Sequence, residues 1–376
     1  MGWLRGAVGD SMRMCSDPND DANSPRVSST ARVGCSCHPS RRFFLKAVGA
    51  SAIAAPTISA PTLARAQSRG DIIDVHAHLT PPPYIQDLAG TDLLKPPSLQ
   101  WSPAKHIEDM DRAGVTKAIL SITTPGVWFG DVQKARKIAR YSNDYGAQLA
   151  TDHKARFGSF TALPLPDVEG SLREIEYGLD QQKSDGVALF TSYDGKWLGD
   201  PAFDPVFEEL NRRKALVYIH PTSPACCVNI MPVVADAMIE YGTDTTRAIV
   251  NYVFAGAARR FPNVTMIWSH AGGTMPYLIE RFDNGEKLPN VRANMPNGFR
   301  AEIRRFYYDT AQTANPITMT ALKQLVPVSQ IVFGTDFPFR TAAEHVDSLE
   351  RGKVFDRAEL DAIYRGNANR LLPVRS

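Results

Sequence analysis

The chain has 376 residues, a formal net charge of +2, 43% hydrophobic residues and 22% charged residues. That balance is ordinary for a globular protein and excludes an intrinsically disordered chain; the near-neutral charge leaves no nucleic-acid footprint and no basic membrane patch. No unbroken apolar run approaches the ~20 residues a spanning helix needs, so no membrane anchor is expected in a mature form.

Residues 1–39 are polar and patternless, and Met12 or Met14 are alternative starts. Residues 40–46, "SRRFFLK", resemble a twin-arginine export signal through Ser40, Arg41, Arg42, Phe44, Leu45 and Lys46. The Ala-rich run "AVGASAIAAPTISAPTLA" follows, and "ARA" at 64–66 fits a small-x-small cleavage site, placing cleavage after Ala66. Residues 1–66 therefore read as an extension plus signal peptide, and 67–376 as the mature domain, exported to the periplasm. That route carries folded proteins, often with a cofactor already loaded. Of the 5 cysteines, only Cys226 and Cys227 follow the cleavage point. A ring between adjacent cysteines is strained, so two free thiols are expected, and without a second pair they do not form a zinc ribbon.

From residue 71 short apolar runs alternate with amphipathic stretches. Strands are predicted at 72–78, 115–123, 156–165, 186–193, 215–221, 264–272, 306–311 and 330–338. Most are apolar throughout, as strands buried on both faces should be. Helices are predicted at 102–114, with Ser102 as cap and Gly114 as stop, and at 131–153, 167–186, 204–215, 315–327 and 356–372; one or two more fall within 232–262. Eight strands alternating with helices argue for a single α/β domain, a (β/α)8 TIM-like barrel. A doubly wound open sheet usually carries a glycine-rich phosphate loop after its first strand; "HAHLTPPPY" stands there instead.

Chemistry gathers at the strand ends. His76 and His78 in "DVHAH" are two residues apart and share one face of a strand. His220 ends the fifth run, His270 the sixth and Asp336 the eighth. In such a barrel the carboxyl ends of the strands converge on one mouth. A lone buried histidine is usually a hydrogen-bonded core residue, but five polar groups at one end of apolar strands would be costly to bury unpaired. One divalent cation removes that cost. The donor types suit zinc, and manganese or iron would also accept them; one histidine is left for acid–base work. His106, His153 and His345 fall on or near helices and are expected to face solvent.

"DVHAH", "IHP", "SHAGG" and "GTDFP", in this order, resemble the amidohydrolase superfamily, in the branch of 2-amino-3-carboxymuconate-6-semialdehyde, γ-resorcylate and 6-methylsalicylate decarboxylases. "RFGSFTALPLPD", "FYYDTA" and "VPVSQIVFGTDFP" extend the resemblance over residues 71–373. It implies that His76, His78, His220 and Asp336 bind one metal, that His270 moves a proton, and that Arg281 reaches the substrate carboxylate of a neighbouring subunit in a homodimer. Paired with Glu280 or Asp283, Arg281 would instead be a surface residue. Binuclear members often carry a carboxylated lysine at the fourth strand's end; here Phe190, Thr191 and Ser192 stand there and Lys196 comes too late, favouring one metal. Tyr84, Trp128, Phe129, Tyr193 and Phe337 are candidates for an aromatic wall around a planar acid.

The implied activity is non-oxidative decarboxylation of a small aromatic or unsaturated carboxylic acid, with His270 or Asp336 protonating the carbon that loses CO2. Hydrolysis of a lactone, ester or amide would need the same residues. A binding protein on a dead barrel would predict a broken donor set, and the set is intact.

Overall fold

The computed structural model describes residues 71–373. The extension, the twin-arginine segment and the cleavage site after Ala66 lie outside the described residues. Eight parallel strands run β1 Ile72–Leu79, β2 Val115–Ile122, β3 Phe157–Ala162, β4 Gly186–Phe190, β5 Leu216–His220, β6 Thr265–Trp268, β7 Tyr307–Asp309 and β8 Ile331–Val332. They pair in sequence order. The ring closes between β8 and β1 through a parallel bridge from Ala77 to Phe337, with Val75 N donating to Phe333 O (3.0 Å) and His78 N to Phe337 O (2.8 Å). The expected barrel is the observed one.

Strands β1, β3, β4 and β5 are buried along their whole length, because the barrel interior covers one face and helices the other. Ile73, Val75, Ile119, Phe160, Ala188, Leu216, Tyr218, Ile267 and Val332 fill the interior, and a larger cluster packs strands against helices. Phe160 stacks on Tyr218, rings 5.5 Å apart, as a floor inside the barrel.

A bulge in β1 was not legible in the sequence. Between Asp74 and Ala77, β1 carries one residue more than the facing segment of β2. The extra residue resets the alternation. Ile73 and Val75 pack with the interior cluster, whereas Ala77 and Leu79, of the same parity, pack outward. His76 and His78 thereby take the inner side directly above the apolar floor.

The helix Pro103–Ala113 starts at Ser102, whose hydroxyl accepts from Lys105 N, and ends at Gly114 in the left-handed region (φ +76°), as predicted. Other boundaries shift. The stretch 167–186 gives a helix over Val168–Glu176 and a π-turn over Tyr177–Gln181; 232–262 gives Glu240–Phe254 and Ala257–Arg260. The chain end breaks into Arg357–Asp361, a π-turn Ala362–Gly366 and Asn367–Leu371. Cys226 and Cys227 are joined in a disulfide, not left as free thiols. They lie in a short turn after β5, outside any strand, where the backbone is free to take up the ring.

The expectation of solvent-facing histidines fails. His106 and His345 are buried, and His153 is half-buried at the end of the helix Val132–Asp152. His106 stacks on Phe337 (4.3 Å) and accepts from Trp101 Nε1 (3.3 Å). His345 accepts from Gln312 N through Nε2 (2.9 Å), leaving Nδ1–H to donate to Thr341 O (3.1 Å). Burial lowers His106 from the ordinary 6.5 to about 3 and His345 to about 4. Both stay neutral in the fold while the unfolded chain takes up protons below 6.5. Their stabilising contribution is therefore present above 6.5 and is lost as the pH falls toward 4. Urea unfolding between pH 7 and 4.5 should give a stability that declines by about 1.4 kcal/mol per pH unit for each such histidine. His106→Gln should make the decline shallower by about that amount, and an unchanged slope would contradict the assignment.

Candidate metal centre

Each donor is placed by its own strand or by the turn after it. His76 lies within the bulge of β1 and His78 just beyond it, and His220 is the last residue of β5. His270 and Asp336 do not end strands, contrary to expectation. β6 stops at Trp268 and β8 at Val332, and both residues sit in the loops beyond, in the left-handed region (φ +53° and +66°). Ala271, Gly272 and Gly273 continue with positive φ, a path only a glycine-rich turn follows readily. Non-glycine residues held there are strained, and such strain gathers at functional sites.

The loops converge on one point. His76, His78, His220 and Asp336 are buried and each offers one donor atom, all within 4.8 Å of one another. His78 Nε2 lies 2.9 Å from Asp336 Oδ1, His76 Nε2 3.3 Å and His220 Nε2 3.9 Å. The opposite ring nitrogens are engaged elsewhere. His76 Nδ1 lies 2.8 Å from Asp309 Oδ2, His78 Nδ1 3.3 Å from Ser121 Oγ, and His220 Nδ1 2.8 Å from Pro221 O. Those partners leave Nε2 of every ring to the centre.

The residues fit a cation. His220 Nε2 is buried, aimed at the cluster and without a hydrogen-bond partner. A buried lone pair of this kind is costly unless something binds it. Burial lowers His78 and takes His220 well below its usual value, so both rings are neutral and ready to ligate. For His76 burial acts the same way, but the facing carboxylates of Asp309 and Asp336 outweigh it and push it up to about 10. Burial would raise Asp336, yet His76 and the hydrogen bonds of His270, His76 and His78 hold it well below the carboxylate range. Positive charge is thus favoured at this point, and a metal ion would displace the His76 proton.

His270 stands outside the donor set, with Nε2 3.5 Å from Asp336 Oδ2. Gln312 Nε2 donates to the same oxygen at 3.0 Å. Asp336 thus presents one oxygen to the ligand histidines and the other to His270 and Gln312. Arg281 is not brought to the cluster by any contact. It is exposed on the helix Met275–Gly285, and no ion pair engages it among the described residues, since Asp283 is taken by Arg300 (2.7 Å). The aromatic wall is also different from the expected one. Tyr84, Tyr193 and Phe337 pack into the core, and Trp128 and Phe129 are half-buried against it. Besides Tyr218 in the floor (5.2 Å from His76), rings beside the donors include Tyr241 (5.8 Å from His220), Phe190 (6.0 Å) and Phe339 (6.1 Å from His78).

Sequence reasoning passed over Asp74, Asp309 and Gln312. Asp74 accepts from His76 N (2.9 Å) and Thr335 Oγ1 (2.6 Å), tying β1 to the Asp336 loop. Asp309 ends β7, and an acid closing an apolar strand is the signal that singled out the histidines.

An amidohydrolase family model matches residues 73–374. The chain belongs to the amidohydrolase family. It is 34% identical over 322 residues to decarboxylase yanB of Aspergillus niger, spanning 81% of this chain and 88% of that one. It is 38% identical over 278 residues to 6-methylsalicylic acid decarboxylase of Penicillium expansum, spanning 71% and 84%. A dihydroxybenzoic acid decarboxylase from a Polaromonas strain, solved with bound manganese and the inhibitor 2-nitroresorcinol, shares the fold (TM-score 0.70, 22% identity, 80% of this chain and 96% of that chain).

His220→Ala should leave a folded barrel that retains little metal. Elemental analysis should find about one ion per wild-type chain, as expected for a single site with three imidazoles and a carboxylate, and much less in the variant. Full retention would remove His220 from the donor set.

Proposed function

We propose that this chain is a metal-dependent, non-oxidative decarboxylase acting on a small aromatic hydroxy acid of the 6-methylsalicylate type. The observation that carries the reading is a one-cation donor set with an uncommitted histidine facing it across Asp336, in a chain aligned over most of its length with decarboxylases. Zinc fits the donors, and the neighbour solved with manganese supports that ion equally. A bound divalent cation would supply positive charge to hold the substrate's carboxylate and to stabilise electron density developing in the transition state.

The chain's own residues do the rest. His270 carries the proton to the ring carbon that bears the carboxyl group. The bond to the carboxyl carbon then breaks, its electron pair restores the aromatic system, and CO2 leaves. No oxidant is needed, and one proton is consumed. Gln312 and His270 share Asp336 Oδ2, which keeps that carboxylate fixed while the proton moves. Tyr241, Phe190 and Phe339 offer apolar surface for a planar ring. The exposed Arg281 supports a role across a homodimer, as the cation for a neighbouring copy's substrate. The twin-arginine segment supports export of the folded, metal-loaded chain to the periplasm.

The test uses the chain from Gln67 onward with 6-methylsalicylate and dihydroxybenzoates. CO2 should be released in step with substrate loss. His270→Asn should keep its metal and lose about 10²–10⁴-fold in kcat, the range for removing a general acid. Incorporation of a water oxygen without CO2 would contradict the proposal and favour a hydrolase.

A further inference from the structure

Asp309 is fully buried at the end of β7 and lies outside the donor set. Its two oxygens face different parts of the centre. Oδ2 lies 2.8 Å from His76 Nδ1. Oδ1 accepts from the backbone of His270 (2.9 Å) and of Ala311 (3.0 Å). One carboxylate therefore grips a metal-donor ring and the start of the loop that carries the proton-transfer histidine. The turn it grips is one the backbone does not adopt freely, since His270 and Ala271 both have positive φ.

We propose that Asp309 is a positioning residue that couples the two halves of the centre: it fixes His76 with its proton on Nδ1 and Nε2 toward the cation, and it pins His270 in its left-handed turn. The inference rests on the metal-dependent reading above. Chemistry makes the carboxylate hard to replace. All three groups facing it are N–H donors, so both oxygens must accept. In Asp309→Asn, an amide oxygen turned to the His270 and Ala311 N–H groups leaves the amide N–H2 facing His76 Nδ1. That forces the ring proton onto Nε2, the atom aimed at the cation. The opposite orientation keeps His76 correct and sets a donor against two donors. An amide serves one side or the other, not both.

Asp309→Asn should fold by circular dichroism and bind zinc about 10- to 100-fold more weakly in competition with a chromophoric chelator, the usual cost of losing such an outer partner. A merely structural role would lower the unfolding midpoint and leave the zinc affinity of the folded fraction unchanged, which would overturn the proposal. The wild-type protein gives a second readout that needs no variant. In its zinc-loaded form, long-range 1H–15N spectra should place the His76 proton on Nδ1, and the His270 amide should be protected from exchange. A proton on Nε2, or a freely exchanging His270 amide, would also overturn it. Neither readout involves CO2 release, so a chain that binds zinc and decarboxylates nothing would remove the proposed function and leave this inference standing.

Discussion

A carboxylate buried among four imidazoles is the constraint on which the mouth of this barrel depends. Asp336 is reached by His76, His78 and His220 through one oxygen and by His270 and Gln312 through the other. Burying that charge is costly unless every lone pair is answered. The answer requires β8 to end early, so that a loop and not a strand carries the acid inward. Gly334 makes the approach feasible, since a Cβ there would stand 2.8 Å from the Cβ of His76.

An outer network holds the loops around that hub. Asp74 binds Thr335 on the Asp336 loop, Asp309 binds the His270 turn, and His345 binds the backbone of Gln312. Each outer residue comes from a different element, so no single loop can shift without loosening another. Fully satisfied buried networks of this kind rigidify a site, whereas one missing partner leaves a costly orphan. Among the donors, the orphan is His220 Nε2, and that is the position a cation would fill. The apolar floor of Phe160 and Tyr218 closes the site from below.

Much of this was legible in the residues. Continuous apolar runs marked the eight strands, and polar residues at their carboxyl ends marked five candidates; the family resemblance separated the four donors from His270. What was missed has physical causes. Periodicity cannot reveal the bulge in β1, because one extra residue changes parity without changing composition. That His270 and Asp336 lie past their strands escaped the sequence reading because positive-φ turns leave little trace in hydropathy. His106 and His345 were misplaced although the signal was present. His106, Asp109, Met110 and Ala113 share one buried helix face, as do Ala342, His345, Val346 and Leu349. A histidine in an apolar stripe belongs to the core. The aromatic residues were mis-sorted because ring type says nothing about which side of a loop packs inward.

The central claim is that one divalent cation sits at the barrel mouth on these four side chains. Anomalous diffraction from crystals of the metal-loaded protein, collected at the absorption edge of the ion found by elemental analysis, tests it most directly. The account predicts a single peak between His76, His78, His220 and Asp336, with His270 outside the coordination sphere. No peak there, or a second peak sharing the site, would contradict it.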